Sequence, residues 1–222
     1  MAAVRLVMLG PPGAGKGTQA RRLADDLGLL HIATGDILRQ AAAADTDLGR
    51  QAAAIMSQGG LVPDAVMIGL IAERLGDPAA TGGFVLDGFP RTVEQAQALD
   101  ELMREQTGRE IDAAVYLDAP EEELVRRSAS RRVCRGCGAN YNLISSPPRR
   151  ESICDACGGG LYLRDDDREG TVRRRLAVYR DLTHPVTAYY DARGCLRRVD
   201  GLAPPDQVYQ DLRRQLAGLE RA

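Results

Sequence analysis

One stretch constrains this chain more than any other: Gly10-Pro11-Pro12-Gly13-Ala14-Gly15-Lys16-Gly17-Thr18. The apolar run at 4–9 that precedes it is long enough for a strand and too short for a membrane span. After it, Ala20, Leu23, Ala24 and Leu27 recur at three- and four-residue intervals, which predicts one apolar helix face. Strand, glycine loop and helix, in that order, is the setting in which G-x-x-x-x-G-K holds a phosphate. The glycines let successive backbone N–H groups converge on one anion, and the helix adds its unsatisfied N–H groups and positive dipole end. A plain glycine-rich turn is the simpler reading, and the flanking elements weigh against it. The loop departs from the common GK[ST] spacing, because Gly17 follows Lys16 and the hydroxyl comes at Thr18.

Lys16 is the only lysine among 29 basic side chains; all the others are arginines. Arginine is a flat fork and lysine a compact point charge on a flexible stem, so a tight phosphate loop selects the second. A chain of 222 residues can bury one sizeable core with room for inserts. A formal net charge of −2 points away from a general nucleic-acid or anionic-membrane surface. Two histidines, His31 and His184, are too few for the usual histidine-centred sites, and both read as structural. The sequence carries no leader, lipidation site or apolar stretch of membrane length, which predicts a cytoplasmic location.

Strand patterns at 29–33, 84–87, 113–117 and 196–199 alternate with helical ones, which predicts a parallel sheet covered on both faces. The alanine-rich stretch 37–57 favours short helices, and Gly59-Gly60 ends them. Pro63 and Pro120 each open a helix, and Pro185 predicts a kink within the helical stretch 171–190. Thr92 with Gln95 has capping-box spacing, and 206–219 reads as a closing helix. Thr34, Asp87 and the glycine loop all fall at carboxyl ends of strands, where open α/β sheets bind ligands.

Cys134-x-x-Cys137 and Cys154-x-x-Cys157, with sixteen residues between the pairs, fit a four-thiolate zinc site. Four thiolates fill a tetrahedral metal, so its role would be structural. Two disulfides are the alternative and suit an oxidising compartment; iron is the readiest substitute for zinc. Cys195 is left over as a partly buried thiol.

Several motifs resemble those of an adenylate kinase, in order and over nearly the whole chain: GPPGAGKGTQA (10–20), ATGDILR (33–39), GGLVPD (59–64), FVLDGFPRT (84–92) and SRRV (130–133). The cysteine-bearing insert resembles the long lid of zinc-bearing bacterial members. The resemblance implies a P-loop three-layer α/β fold with a five-stranded parallel sheet. It divides the chain into core at 1–32, 63–129 and 168–222, a small helical AMP-binding insert at 33–62, and a zinc-bearing lid at 130–167. It implies a monomer that transfers a phosphoryl group from Mg²⁺-ATP to AMP, with ADP as product and no nucleic-acid or membrane partner.

Residue roles follow by the same resemblance. Gly13, Ala14, Gly15, Lys16, Gly17 and Thr18 would hold the ATP phosphates. Arg127 and Arg131 would meet ATP, the first by stacking on its base, with Asn140, Tyr141 and the backbone of Ala203 also touching it. Thr34, Arg39, the backbone of Gly60, Leu61 and Val62, and Gly88, Phe89, Pro90 and Arg91 would bind AMP, with Gln95 on its adenine. Arg164 and Arg175 would clamp the transferring phosphates, and Asp87 would hold waters on Mg²⁺. Family members carry R-x-D-D-[N/Q]-x-E at the lid's second hinge; here Arg168 takes the Asn/Gln position and Gly170 the Glu position. The alternatives are another nucleoside monophosphate kinase, for UMP/CMP or using GTP, and more remotely a P-loop zinc-ribbon protein that binds nucleic acid.

Overall fold

The computed structural model describes residues 3–43 and 47–219. Its centre is a parallel sheet of five strands: β1 (Arg5–Leu9), β2 (Leu30–Ala33), β3 (Phe84–Asp87), β4 (Ala113–Asp118) and β8 (Leu196–Asp200), in the order β2-β3-β1-β4-β8. Val7, Leu9, Ile32, Leu86, Ala114 and Tyr116 pack on one face, against α4 (Asp64–Leu75), α5 (Val93–Thr107) and α8 (Pro185–Ala192). Leu6, Met8, Val85, Val115 and Leu117 pack on the other, against α1 (Lys16–Leu27), α6 (Glu121–Ser130), α7 (Glu169–Val178) and α9 (Pro205–Leu216). Because both faces are covered, the strands read as apolar runs without alternation.

Two segments leave this body. The first carries α2 (Thr34–Ala43) and α3 (Asp47–Ser57), which pack on each other. The second carries an antiparallel sheet in the order β6-β5-β7, from β5 (Arg131–Cys134), β6 (Asn140–Asn142) and β7 (Leu161–Tyr162). Among the described residues no helix is long and apolar enough to cross a membrane.

Two local expectations are corrected, and a third, the irregularity near Pro185, is located. Thr92 caps α5 by accepting the Gln95 N–H at 3.1 Å, but the Gln95 side chain reaches back to Arg91 N at 2.7 Å rather than to Thr92 N. The GFPR turn delivers the Arg91 N–H first, so the reciprocal bond shifts by one residue. The helical stretch before Pro185 relaxes through a π-helical turn, Tyr179–Thr183, so the irregularity precedes the proline. The closing helix α9 stops at Leu216, where Ala217 leaves helical geometry.

Candidate active site

The glycine loop joins β1 to α1 under β4 and α6. A Cβ on Gly10 would stand 2.2 Å from Leu117 O, and one on Gly13 would stand 2.6 Å from Leu124 O and 2.8 Å from Ser128 Oγ; both glycines have positive φ. No other residue fits at either position, so the loop is pressed against its own sheet. Gly15 caps α1 in the left-handed region without any side-chain bond. The first turn of α1 therefore points backbone N–H groups outward at its positive end.

The Lys16 ammonium donates to Gly10 O at 2.7 Å and Pro11 O at 2.9 Å, folded back over the loop. Burial brings its pKa from 10.5 down to about 7; Asp87 opposes the shift, while Arg91, Arg175 and Arg131 reinforce it. Position 17 is explained by the same carboxylate, since a Cβ there would meet Asp87 Oδ2 at 2.9 Å. The hydroxyl of a GK[ST] loop would crowd Asp87, and Thr18 is exposed one position along.

Asp87 ends β3 and Gly88 turns the chain with φ +86°. A Cβ on Gly88 would collide with Thr34 Oγ1 at 2.7 Å and stand 3.2 Å from Arg91 Nη2. Thr34 is buried and donates to Asp87 O at 3.2 Å, while Arg91 Nε donates to Gly88 O at 2.7 Å. Burial lowers the Arg91 pKa, Asp87 opposing and Arg39 adding to it. Arg39 itself is paired with Asp36.

The segment from β5 to α7 closes the constellation. Arg131 on β5 grips the fully buried Asp167 through two nitrogens, Nε to Oδ2 at 2.7 Å. Arg164 is paired with Asp166, and Arg175 on α7 donates to Asp166 O at 2.9 Å and lies 3.1 Å from Asp166 Oδ2. Burial alone would raise the Asp166 pKa, but Arg175 and Arg164 hold it at about 2. Burial, with Arg131 and Arg164 close by, brings Arg175 down to about 10 against the pull of Asp166. A single cavity is lined by Lys16, Arg39, Arg91, Arg164, Asp166 and Arg175, with Gly60, Leu61 and Pro90 on its walls. Five separate positions in the sequence thus present four arginines and a lysine to one space. That is a site built to hold phosphates of more than one group.

Other residues proposed from sequence sit elsewhere. Phe89 and Val62 are in the core, and Gln95 is buried with Nε2 donating to Asp64 Oδ1 at 2.7 Å. Arg127 ties α6 to the 201–203 loop, donating to Gly201 O at 2.6 Å and Leu202 O at 3.3 Å beside Ala203. The side chain of exposed Asn140 donates to Gly138 O in the turn before it. The cavity-lining Val178, Tyr179 and Thr183 were not foreseen; Pro185 marks an irregular stretch without saying which side chains it aims at the cavity.

In the lid, Cys134, Cys137, Cys154 and Cys157 are free thiols with all four Sγ atoms within 4.8 Å of one another. The Cys134–Cys157 and Cys137–Cys154 separations are 3.4 and 3.5 Å. Sulfurs about 2.3 Å from a shared tetrahedral centre stand about 3.8 Å apart, so the set fits a metal. The disulfide alternative is not what the fold contains.

The adenylate kinase family profile matches residues 8–195, which spans the glycine loop, both inserts and the hinge. The chain belongs to the adenylate kinase family. It is 50% identical over 209 residues to an adenylate kinase of Archaeoglobus fulgidus, covering 94% of this chain and 96% of that one. It is 45% identical over 218 residues to an adenylate kinase of Bacillus licheniformis, covering 98% and 100%. To an adenylate kinase of Streptomyces coelicolor it is 49% identical over 219 residues, covering 98% and 99%. Neither a UMP/CMP kinase nor a nucleic-acid-binding zinc ribbon is favoured by these matches, and the converging arginines belong to an adenylate kinase cleft.

Proposed function

We infer that this adenylate kinase moves the terminal phosphoryl group of ATP onto AMP, giving two ADP, by bringing its lid down on the glycine loop while segment 33–62 holds the acceptor. The observation that carries this reading is the convergence of Lys16, Arg91, Arg164 and Arg175 on one cavity. A phosphate oxygen of AMP forms the new P–O bond as the bond to the ADP leaving group breaks, with little proton chemistry. The protein's work is alignment and charge neutralisation.

In this reading the loop from Gly13 to Thr18 holds the ATP phosphates and Lys16 follows the transferring group. Arg131, Arg164 and Arg175 exchange Asp166 and Asp167 for phosphate oxygens as substrates arrive. Thr34, Arg39 and 88–91 hold AMP, with Gln95 on its base side. Arg127 and the Ala203 backbone flank the donor base, and Asn140 and the ring of Tyr141, its hydroxyl turned to Cys154, meet ATP from the lid. Mg²⁺ would be held through waters by Asp87, whose carboxylate the absent Cβ of Gly17 leaves clear. It would neutralise phosphate oxygens. Zinc in the four-cysteine set would be structural, because no ligand position stays open. The protein works as a cytoplasmic monomer of core, AMP arm 33–62 and lid 130–167.

A coupled assay for ADP from ATP, AMP and Mg²⁺, run against a panel of monophosphate acceptors, tests the reading. AMP should lead the panel with ATP as donor. Preference for UMP or CMP, or for GTP as donor, would refute it.

A further inference from the structure

We propose that Tyr141 is part of the lid's metal centre, donating its phenolic hydrogen to the Cys154 thiolate and pinning the cysteine knuckle to the strand pair that carries Arg131. The proposal rests on reading the four cysteines as a metal site.

The bond directions follow from who can donate. Tyr141 Oη accepts the backbone N–H of Asp155 at 2.7 Å and lies 3.4 Å from Cys154 Sγ. A metal-bound thiolate has no proton to give, so the hydrogen between oxygen and sulfur belongs to the phenol. The tyrosine therefore closes a small ring: it takes a hydrogen bond from the backbone just after Cys154 and returns one to that residue's sulfur.

The four sulfurs are not equivalent. Cys134 and Cys154 are buried while Cys137 and Cys157 are exposed. The two buried sulfurs each receive a donor, Cys134 from Gly136 N at 3.3 Å and Cys154 from Tyr141. A hydrogen bond to a buried thiolate stabilises its charge and fixes its orientation, which is how outlying donors strengthen a metal site.

Tyr141 also has a mechanical position. It lies on β6 opposite Arg132, and the next residue, Asn142, lies opposite Arg131. Asn142 Nδ2 donates to Arg127 O at 3.0 Å. The same three-residue strand thus holds the knuckle at one position and the base of the lid at the next. Tyr141 is a positioning residue for the lid, acting through the metal.

Zinc-loaded wild-type protein, Tyr141→Phe and Tyr162→Phe should be compared for zinc transfer to a chromogenic chelator. Tyr162 lies in the same small sheet, its ring under the Arg135 guanidinium, and serves as the control for lost phenol. Tyr141→Phe keeps the ring and loses only the donor. It should release zinc about tenfold faster or more, with Tyr162→Phe close to wild type. In the cobalt-substituted proteins the sulfur-to-metal charge-transfer band of Tyr141→Phe should move to lower energy, because one thiolate loses a hydrogen bond. Equal release from the two variants, or an unmoved band, would overturn the proposal. Wild-type protein that takes up neither zinc nor cobalt would overturn the metal reading beneath it.

Discussion

The cleft and the cysteine knuckle both concentrate like charges, and they do it on opposite terms. In the cleft, Lys16, Arg39, Arg91, Arg131, Arg164 and Arg175 come from scattered positions; Asp36, Asp166 and Asp167 pair with four of the arginines, while Lys16 and Arg91 donate to backbone carbonyls. In the knuckle, four thiols come from 24 consecutive residues, and two of their sulfurs are already hydrogen-bonded. In the proposed function Arg131, Arg164 and Arg175 each trade a carboxylate for a phosphate, so their pairings are provisional, which is what a site that binds and releases anions needs. The knuckle gathers four sulfurs within 4.8 Å, a closed geometry suited to a structural metal. Charge brought together from afar is suited to chemistry; charge gathered locally is suited to holding a fold.

The sharpest way to break the comparison is at Lys16, where the cleft has no substitute. Lys16→Arg keeps the charge but puts a wide planar head into a loop pressed on Leu117 and Leu124, so turnover should fall by roughly a hundredfold or more, about 3 kcal/mol of transition-state stabilisation. The lowered pKa, about 7, gives Lys16 a far larger neutral fraction near neutral pH than an ordinary lysine at 10.5 has. An amine-directed reagent near neutral pH should therefore modify Lys16, activity should fall in step, and a bisubstrate nucleotide should protect both. Peptide mapping separates this site from the amino terminus. Full activity in protein acylated at Lys16 would refute the phosphate-loop role.

The provisional character of the cleft's pairing is tested at Asp167. This carboxylate is fully buried under Arg131, with Arg175 Nη1 at 3.5 Å. Removing one partner of a buried pair costs about 3 kcal/mol or more, so Asp167→Asn should melt roughly 6–12 °C lower. If phosphates take over the carboxylate's place, a saturating bisubstrate nucleotide should close much of that gap. A deficit that is the same with and without nucleotide would mean that the arginines do not change partners.

The knuckle should respond differently. Thiol-directed metal release with Mg²⁺ in excess should lower the melting temperature and loosen the lid before transfer stops, since the cysteines lie far from the glycine loop in sequence. An unchanged melting curve with demonstrated metal loss would remove the structural role.

Legibility in the sequence divides along the same line. The knuckle was readable because its spacing is local, and the glycine loop because strand, loop and helix adjoin. The five strands were readable because buried parallel strands are plain apolar runs. What stayed hidden is pairing at a distance. Asp166 and Asp167 are visible as letters, but their binding of Arg131, Arg164 and Arg175 depends on how β5 meets α7. Gln95 has capping spacing, yet its amide is divided between Arg91 N and Asp64, 31 residues away. Tyr141 was assigned to nucleotide by resemblance, and its hydroxyl turns to Cys154 and Asp155 through a strand register that no spacing rule supplies.

The smallest expected effect is at the hinge between the two regions. Gly170 lies in the first turn of α7, just past Arg168, which caps the helix without a side-chain bond. A Cβ at Gly170 would meet nothing within 4 Å, so a side chain fits there without strain. Glycine in a helix costs up to about 1 kcal/mol relative to residues with a Cβ, and a first-turn glutamate also gains from the helix dipole. Gly170→Glu should therefore raise the melting temperature by about 2–4 °C for a chain of this size. The stiffer first turn carries Arg175 about one and a half turns further along, so opening the lid should slow, and turnover with it if opening limits the cycle. Relaxation dispersion on lid residues reads that rate directly. Equal exchange rates in the two proteins, with the melting gain present, would place the mobile joint elsewhere than α7; no melting gain would mean that Gly170 does not weaken the helix at all.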